Sequence, residues 1–296
     1  MITPVHEKDG FFKYYTASSA KITLRSASRK WSTPPLFNDP FDNQFDLHLE
    51  EHTADLVKQS LCQFIETITS SQPLNVSQFA FFSPVIEMIR QVHMQNPDLQ
   101  YTEDELAELR EGVIEGMQQA TKINPETNAK IRAILADITI FCVSETHDNL
   151  LMWSHYAQRH TGIAIKFLSL PEVDSPIILA RPVRYMKQMP RLTFAALMDL
   201  DATRKYVFDY ITLTKNDAWA YEKEWRIVTS LRDKTRSFEI LPFAPEEIGA
   251  VYLGCSMAID DKHEIIQIAR GKYPNAKIFE AIKHEREFAL VFREIT

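Results

Sequence analysis

Two glutamates two positions apart, Glu222 and Glu224, are the residues of this sequence best suited to acid–base chemistry. They lie in the segment 221–227, where charged and apolar residues alternate as in a β-strand. Because successive strand side chains point to opposite faces, Glu222, Glu224 and Arg226 would share one face. Two neighbouring carboxylates split their pKa values, so that one stays ionised while the other exchanges a proton. A half-buried strand with a charged, solvent-facing side shows the same alternation, and this structural alternative stays open.

A second candidate group follows a predicted strand that ends at Ser144. The helix predicted over 150–158 carries three side chains that could bind a ligand: Trp153, His155 and Tyr156. A strand, a polar turn and a short helix would bring them near a strand end. Core packing of Trp153 and a hydrogen-bonding role for His155 are the structural alternatives.

The third candidate is the turn Phe37–Asp42, with Lys13 and Tyr14 on the first predicted strand before it. Asn and Asp before Pro form hydrogen bonds from side chain to backbone and so rigidify a turn, which is the structural interpretation. The functional alternative is that Asn38 and Asp39 offer amide and carboxylate groups to a ribose or a base.

Composition excludes several kinds of site. The chain has only seven glycines and neither a GxxxxGK[ST] nor a GxGxxG motif, so phosphate binding by loop amides is excluded. We expect no metal, because His155 and His160 are five positions apart and cannot share a helix face. The three cysteines have no CxxC spacing, and no apolar run reaches the length of a bilayer span. These features predict a cytoplasmic protein without a membrane partner.

The predicted elements indicate an α+β fold with a central mixed or antiparallel sheet. We expect a single elaborated domain over 1–296, with an acidic helical insertion over 50–136 after the first strands. Strands are predicted over 11–15, 22–24, 138–144, 162–167, 181–186, 225–230, 249–253, 276–279 and 288–292. Helices are predicted over 53–69, 76–94, 102–122, 125–135, 150–158, 194–215 and 262–270, with a capping box at Thr102–Glu105 and Asp148 as an N-cap.

Charge is unevenly distributed. Residues 38–137 include 17 acidic and 6 basic residues, whereas 181–236 include 12 basic and 7 acidic residues. The basic segment indicates a surface that handles anions, although a mixed solvated face gives the same count. The acidic block is a candidate docking surface for a neutralising or chaperone partner.

Six short blocks, in this order, resemble the bacterial domain-of-unknown-function family 2971 over most of the chain. The blocks are Lys13-Tyr14, Phe37–Asp42, Cys142–Glu145, Leu151–Ala157, His160–Gly162 and Tyr221–Arg226. The name of that family implies no activity.

The arrangement is also similar to the ADP-ribosyltransferase clan, which has a basic or aromatic residue on a first strand and a catalytic Glu on a late strand, often as E-x-E. The resemblance implies that Glu224 is the catalytic Glu and that Glu222 is the residue two before it. Lys13 or Tyr14 would take the early position that contacts NAD. The NAD-binding residues so predicted are Lys13, Tyr14, Asn38, Asp39, Ser144, Trp153, His155, Tyr156 and Arg226.

The activity implied is transfer of ADP-ribose from NAD, as a substrate, to a protein or nucleic acid, in a toxin or an antiviral effector. Glu224 would bind the ribose 2′-hydroxyl and stabilise the oxocarbenium transition state, while Glu222 takes a proton from the acceptor. Aromatic rings such as those of Trp153 and Tyr156 would stack on the bases, and Arg226 would meet the pyrophosphate. The alternatives are a hydrolase or nuclease that uses carboxylates and His155, and a non-catalytic nucleotide-sensing or interaction module.

Overall fold

The computed structural model describes residues 3–44, 48–49, 125–192 and 200–295, together with 95, 102–105, 107–108 and 111. The chain forms two compact units. The first comprises residues 1–43, 136–187 and 213–296, and the second comprises 44–135 and 188–212. All candidate site residues named above belong to the first unit.

The elements confirm the α+β class. The strands are β1 (Gly10–Tyr15), β2 (Ser28–Ser32), β3 (His48–Leu49), β4 (Ile138–Ser144), β5 (Ile163–Leu168), β6 (Arg181–Pro182), β7 (Arg184–Met186), β8 (Arg191–Leu192), β9 (Thr214–Asn216), β10 (Glu224–Ser230), β11 (Phe238–Pro242), β12 (Ile248–Leu253), β13 (Lys277–Lys283) and β14 (Leu290–Glu294). The α-helices are α1 (Ala17–Ser26), α2 (Pro125–Ala136), α3 (Leu150–Tyr156), α4 (Leu200–Asp209) and α5 (Ile259–Lys272). No described helix has the length and apolar character needed to cross a membrane.

A mostly antiparallel sheet forms the centre of the first unit, as the sequence predicts. Its strands follow the order β11, β2, β4, β1, β5, β12, β13 and β14, while β10 pairs with β4 and β6 pairs with β10. The pair β12–β13 is parallel, and α5 supplies the crossover that a parallel pair requires. The strand pairs β7–β9 and, in the second unit, β3–β8 form separate two-stranded parallel sheets.

The sheet divides at β4, and this division positions the site. Strand β10 pairs with β4 along all seven residues and so occupies one edge of it. Strands β1 and β2 share the other edge, each through a single register pair, β1 at Ser144 and β2 at Ile140. Between these two points the Cys142 carbonyl accepts a hydrogen bond from Lys13 Nζ at 2.6 Å. A side chain of β1 thus bridges the gap where the two strands separate.

Apolar burial fixes α1 against the sheet, and the strand predicted over 22–24 is wrong. The β-branched residues there favour a strand, but Ala17, Ala20 and Leu24 recur at helical spacing and are all buried. The Thr16 hydroxyl caps the helix by accepting the N–H of Ser19.

Three further expectations need correction. The helix predicted over 194–215 has α4 in its described part, which ends at Asp209, and β9 follows because Thr214–Asn216 pairs with β7. The strand predicted over 181–186 is the two short strands β6 and β7. Asn149, not Asp148, caps α3. In each case a tertiary or side-chain contact decides the local structure.

The remaining predicted elements of the described chain are confirmed to within a few residues, whereas β2, β3, β8 and β11 were not predicted. The helices predicted over 53–69 and 76–94 lie outside the described residues. The capping box is present, since Thr102 and Glu105 exchange hydrogen bonds.

Candidate functional site

A cavity of about 360 Å³ is lined by β1, β2 and β4 at the point where the sheet divides. Further lining residues come from the turn after β2, from α3, from β9 and from the chain around the start of β10. The charged and polar lining residues are Lys13, Tyr14, Lys30, Ser32, Asn38, Asp42, Ser144, His155, Tyr156, Lys215, Glu222 and Glu224. The structure thus brings together eight predicted site residues: Lys13, Tyr14, Asn38, Ser144, His155, Tyr156, Glu222 and Glu224.

A buried ammonium group bridges the two glutamates. Lys215 Nζ lies 2.5 Å from Glu222 Oε2 and 3.0 Å from Glu224 Oε2. Both carboxylates are buried, with Glu222 at 2% and Glu224 at 6% exposure. The structural alternative of a solvent-facing charged strand is therefore wrong.

Glu222 and Glu224 lie close together, but not because they share one face of a strand as alternation predicts. Glu222 ends the 3₁₀ segment Asp217–Glu222, and Lys223 has a left-handed backbone with a φ of 44°. Strand β10 begins only at Glu224. The two carboxylates meet because the left-handed residue turns the chain and because Ser144 Oγ holds the Glu222 carbonyl at 2.6 Å.

Arg226 lies behind Glu224. Its Nε donates to Glu224 Oε1 at 2.8 Å, while Nη1 and Nη2 donate to the two carboxylate oxygens of Asp42 at 3.0 and 2.6 Å. Its side chain is fully buried, and it is not among the residues that line the cavity. Arg226 is thus paired with the carboxylates of Glu224 and Asp42. The predicted contact between Arg226 and a pyrophosphate has no geometric support.

The two glutamates ionise differently. Burial raises the pKa of Glu222 above its usual value, and the neighbouring Lys215 offsets this effect only in part. Burial acts on Glu224 in the same direction, but Arg226 and Lys215 outweigh it and hold the pKa of Glu224 well below its usual range. One carboxylate is therefore ionised at all ordinary pH values, while the other titrates closer to neutrality.

Helix α3 brings a tyrosine to the carboxylate with the raised pKa. The Tyr156 hydroxyl donates to Glu222 Oε1 at 2.6 Å, and Asn38 Nδ2 lies 3.5 Å from the same hydroxyl. Burial and the charge of Glu222 raise the pKa of Tyr156, so this hydroxyl keeps its proton. His155 is exposed on the last turn of α3, with its ring edge toward Tyr156.

The Asn149 cap determines where this helix begins. Its Oδ1 accepts the N–H groups of Leu151 and Met152, and its Nδ2 donates to the Tyr221 carbonyl at 3.1 Å. The cap thus joins α3 to the segment that carries Glu222.

The turn Phe37–Asp42 combines a structural role with a lining role. Asp39 is buried and accepts the Phe41 N–H at 2.9 Å, as the structural interpretation predicts, and it is not among the lining residues. Asn38 does line the cavity, and Asp42 anchors the turn to Arg226. The turn forms a wall that a buried ion pair ties to β10.

Core packing is the role that the structure gives Trp153. The side chain is fully buried, and its Nε1 donates to the His147 carbonyl at 2.6 Å. Its ring meets that of Tyr14 edge to face, with centroids 5.5 Å apart. Tyr14 lines the cavity and donates to the Thr146 carbonyl at 2.9 Å. Trp153 therefore supports the wall from behind.

Sequence reasoning missed Lys215, Lys30 and the ionic role of Asp42. Lys215 lies in the segment predicted as the end of a long helix, so nothing in the pattern placed it beside Glu222. Asp42 could have been found, because it closes a turn that was already a candidate. Among the described residues, no group of three or more His, Cys, Asp or Glu side chains is arranged to hold a metal ion.

Comparison with known proteins gives one match. No curated protein and no solved structure matches this chain. The sequence profile of the family described as "Protein of unknown function (DUF2971)" matches residues 152–227. The chain is thus similar to this family over the segment that holds Tyr156, Lys215, Glu222 and Glu224.

Proposed function

We propose that the cavity binds NAD and that the protein transfers ADP-ribose from NAD to a macromolecular acceptor. The observation that carries this proposal is the buried pair Glu222–Glu224, unequally ionised, in the wall of a cavity that also presents lysine and aromatic side chains. Loss of nicotinamide develops positive charge on the ribose, which a carboxylate at the cavity wall would stabilise in the transition state.

The hydrogen bonds favour Glu222 as the residue that contacts the ribose. Glu224 Oε1 accepts from Arg226, and Oε2 accepts from both Arg226 and Lys215. Glu222 accepts one bond at each oxygen, from Tyr156 and from Lys215. A carboxylate has about four acceptor positions, so Glu222 keeps capacity for a 2′-hydroxyl. This assignment moves the ribose contact that the resemblance implies from Glu224 to Glu222, and Glu224 becomes the fixed anion that holds Lys215.

Lys13 and Lys30 would receive the pyrophosphate. They stand on β1 and β2, the two strands that separate at β4, and both line the cavity. The rings of Phe37 and Tyr156, which also line it, would contact the nicotinamide or the adenine.

The test is release of nicotinamide from NAD by the full chain and by Glu222→Gln. We expect the substitution to lower the rate by about 10²–10³-fold, the usual loss when one group that stabilises charge in the transition state is removed. The matched control is Glu247→Gln. Glu247 is also buried and paired with a guanidinium, Arg29 at 2.9 Å, but it is not among the cavity residues.

Glu247→Gln should keep the rate per folded molecule while losing stability. Absence of nicotinamide release by the wild-type protein, or equal rates for wild type and Glu222→Gln, would refute the proposal. Cleavage of nucleic acid that EDTA abolishes would instead favour a nuclease.

A further inference from the structure

A register pair of two short strands holds Glu224 at both its backbone and its side chain. Tyr185 of β7 lies opposite Lys215 of β9. The Tyr185 hydroxyl accepts the backbone N–H of Glu224 at 2.7 Å, and Lys215 Nζ donates to the Glu224 carboxylate at 3.0 Å. Any shift of this strand pair would therefore move both contacts at once.

Lys215 is also the cation that joins Glu224 to Glu222. Its Nζ donates to Glu222 at 2.5 Å and lies 3.8 Å from Asp42 Oδ2, with a side chain only 5% exposed. Arg226 contacts Glu224 and Asp42, and its described bonds do not reach Glu222. Without the Lys215 ammonium, the buried Glu222 would lie beside the negative charge of Glu224 with no cation between them. Burial and the like charge would both disfavour the ionised form of Glu222.

We propose that Lys215, which the pairing of β9 with β7 places opposite Tyr185, is a positioning residue that holds Glu222 and Glu224 as a working pair. The effect on turnover rests on the proposed function. The effect on the protonation of Glu222 does not, because it requires no NAD.

The first test follows the glutamate side chains of the full chain by ¹³C NMR during a pH titration. Lys215→Met should raise the midpoint of Glu222 by about one pH unit or more, whereas Lys215→Arg, which keeps the charge, should shift it much less. Lys262→Met is the matched control, because Lys262 pairs with Glu280 and does not line the cavity. Should Lys215→Met not fold, Lys215→Gln removes the same charge and retains a donor.

The outcomes separate this inference from the proposed function. A Glu222 midpoint that is the same in the wild type and in the neutral variants would overturn the positioning role, even if nicotinamide is released. A shifted midpoint in a protein that does not cleave NAD would support the positioning role and refute only the proposed activity.

The second test is hydrogen exchange without ligand. Lys215→Met should accelerate amide exchange several-fold in β7 and β9, whereas Lys215→Arg and Lys262→Met should not. Exchange in β7 and β9 at the same rate in the wild type and in Lys215→Met would contradict the positioning role of Lys215.

Discussion

At the scale of single residues, two glutamates of one short segment acquire different protonation states from their neighbours. Glu224 faces both Arg226 and Lys215, whereas Glu222 faces Lys215 alone among these cations and accepts a neutral hydroxyl from Tyr156. Separation of two acids by their surroundings is the usual way in which a site obtains one fixed anion and one group that titrates.

Tyr156→Phe should shift the acidic limb of the pH–activity profile, which is the low-pH range over which nicotinamide release rises. Nicotinamide release should rise with pH as Glu222 ionises, with a midpoint above 4.5 because burial raises its pKa. The Tyr156 hydroxyl donates to the ionised form, so its removal should raise the pKa further and shift the limb to higher pH. The measurement is kcat/KM for NAD against pH.

Tyr273→Phe serves as the control for this substitution. Tyr273 also donates a hydrogen bond through its hydroxyl, to the Leu24 carbonyl at 2.7 Å, but it is buried in the core. It should leave the limb unchanged, and a limb that moves equally in both variants would contradict the role of Tyr156.

At the scale of elements, β4 and α3 place the site. Strand β4 is fully paired on one edge and shared by two separating strands on the other, which leaves space for a cavity beside Cys142. Helix α3 is only seven residues long, so its position depends on its Asn149 cap rather than on helix propensity.

Asn149→Ala should reduce both stability and activity. Loss of an N-cap costs about 1 kcal/mol, and here it also frees the helix that presents Tyr156 to Glu222. Thr16→Ala is the matched control, since it removes the cap of α1, which contributes no residue to the cavity. Urea denaturation and nicotinamide release would measure the two effects. Equal activity in the two variants would contradict the positioning role of α3.

At the scale of the whole molecule, the buried ion cluster contributes to stability as well as to the site. A solvent-facing Glu224 would tolerate exchange for Gln at a cost within about 0.5 kcal/mol. Glu224 is not in that situation, because it is 6% exposed and paired with two cations. Removing one partner of a buried ion pair usually costs about 3–5 kcal/mol, since the remaining charge is left uncompensated.

Glu224→Gln should therefore destabilise the protein by about 3 kcal/mol near neutral pH. The pKa of Glu224 is depressed in the folded state, so its contribution is present above the unfolded value near 4.5 and is lost as the pH falls toward the folded value. The stability difference between wild type and variant should shrink below about pH 4.5. Denaturation curves at several pH values would show this, and a difference independent of pH would contradict it.

Local pattern predicted much of the fold and many of the lining residues. Strands β1, β4 and β12 follow from apolar runs that are buried along most of their length, and helices α2 and α5 follow from apolar residues at helical spacing. The sequence pattern did not predict elements whose structure depends on residues distant in the chain. An example is β9, which is a strand because it pairs with β7.

The sequence by itself determined that this protein is an α+β molecule with a Glu-x-Glu segment, an ordered Asn-Asp-Pro turn and an aromatic helix that could form one site. Only the tertiary structure decided that Lys215 stands between the glutamates, that Arg226 is held by Asp42 and Glu224, and that Trp153 lies in the core. The physical reason is that burial and charge pairing depend on distances between residues far apart in the chain. These distances determine which carboxylate is ionised, and they cannot be read from the periodicity of the sequence.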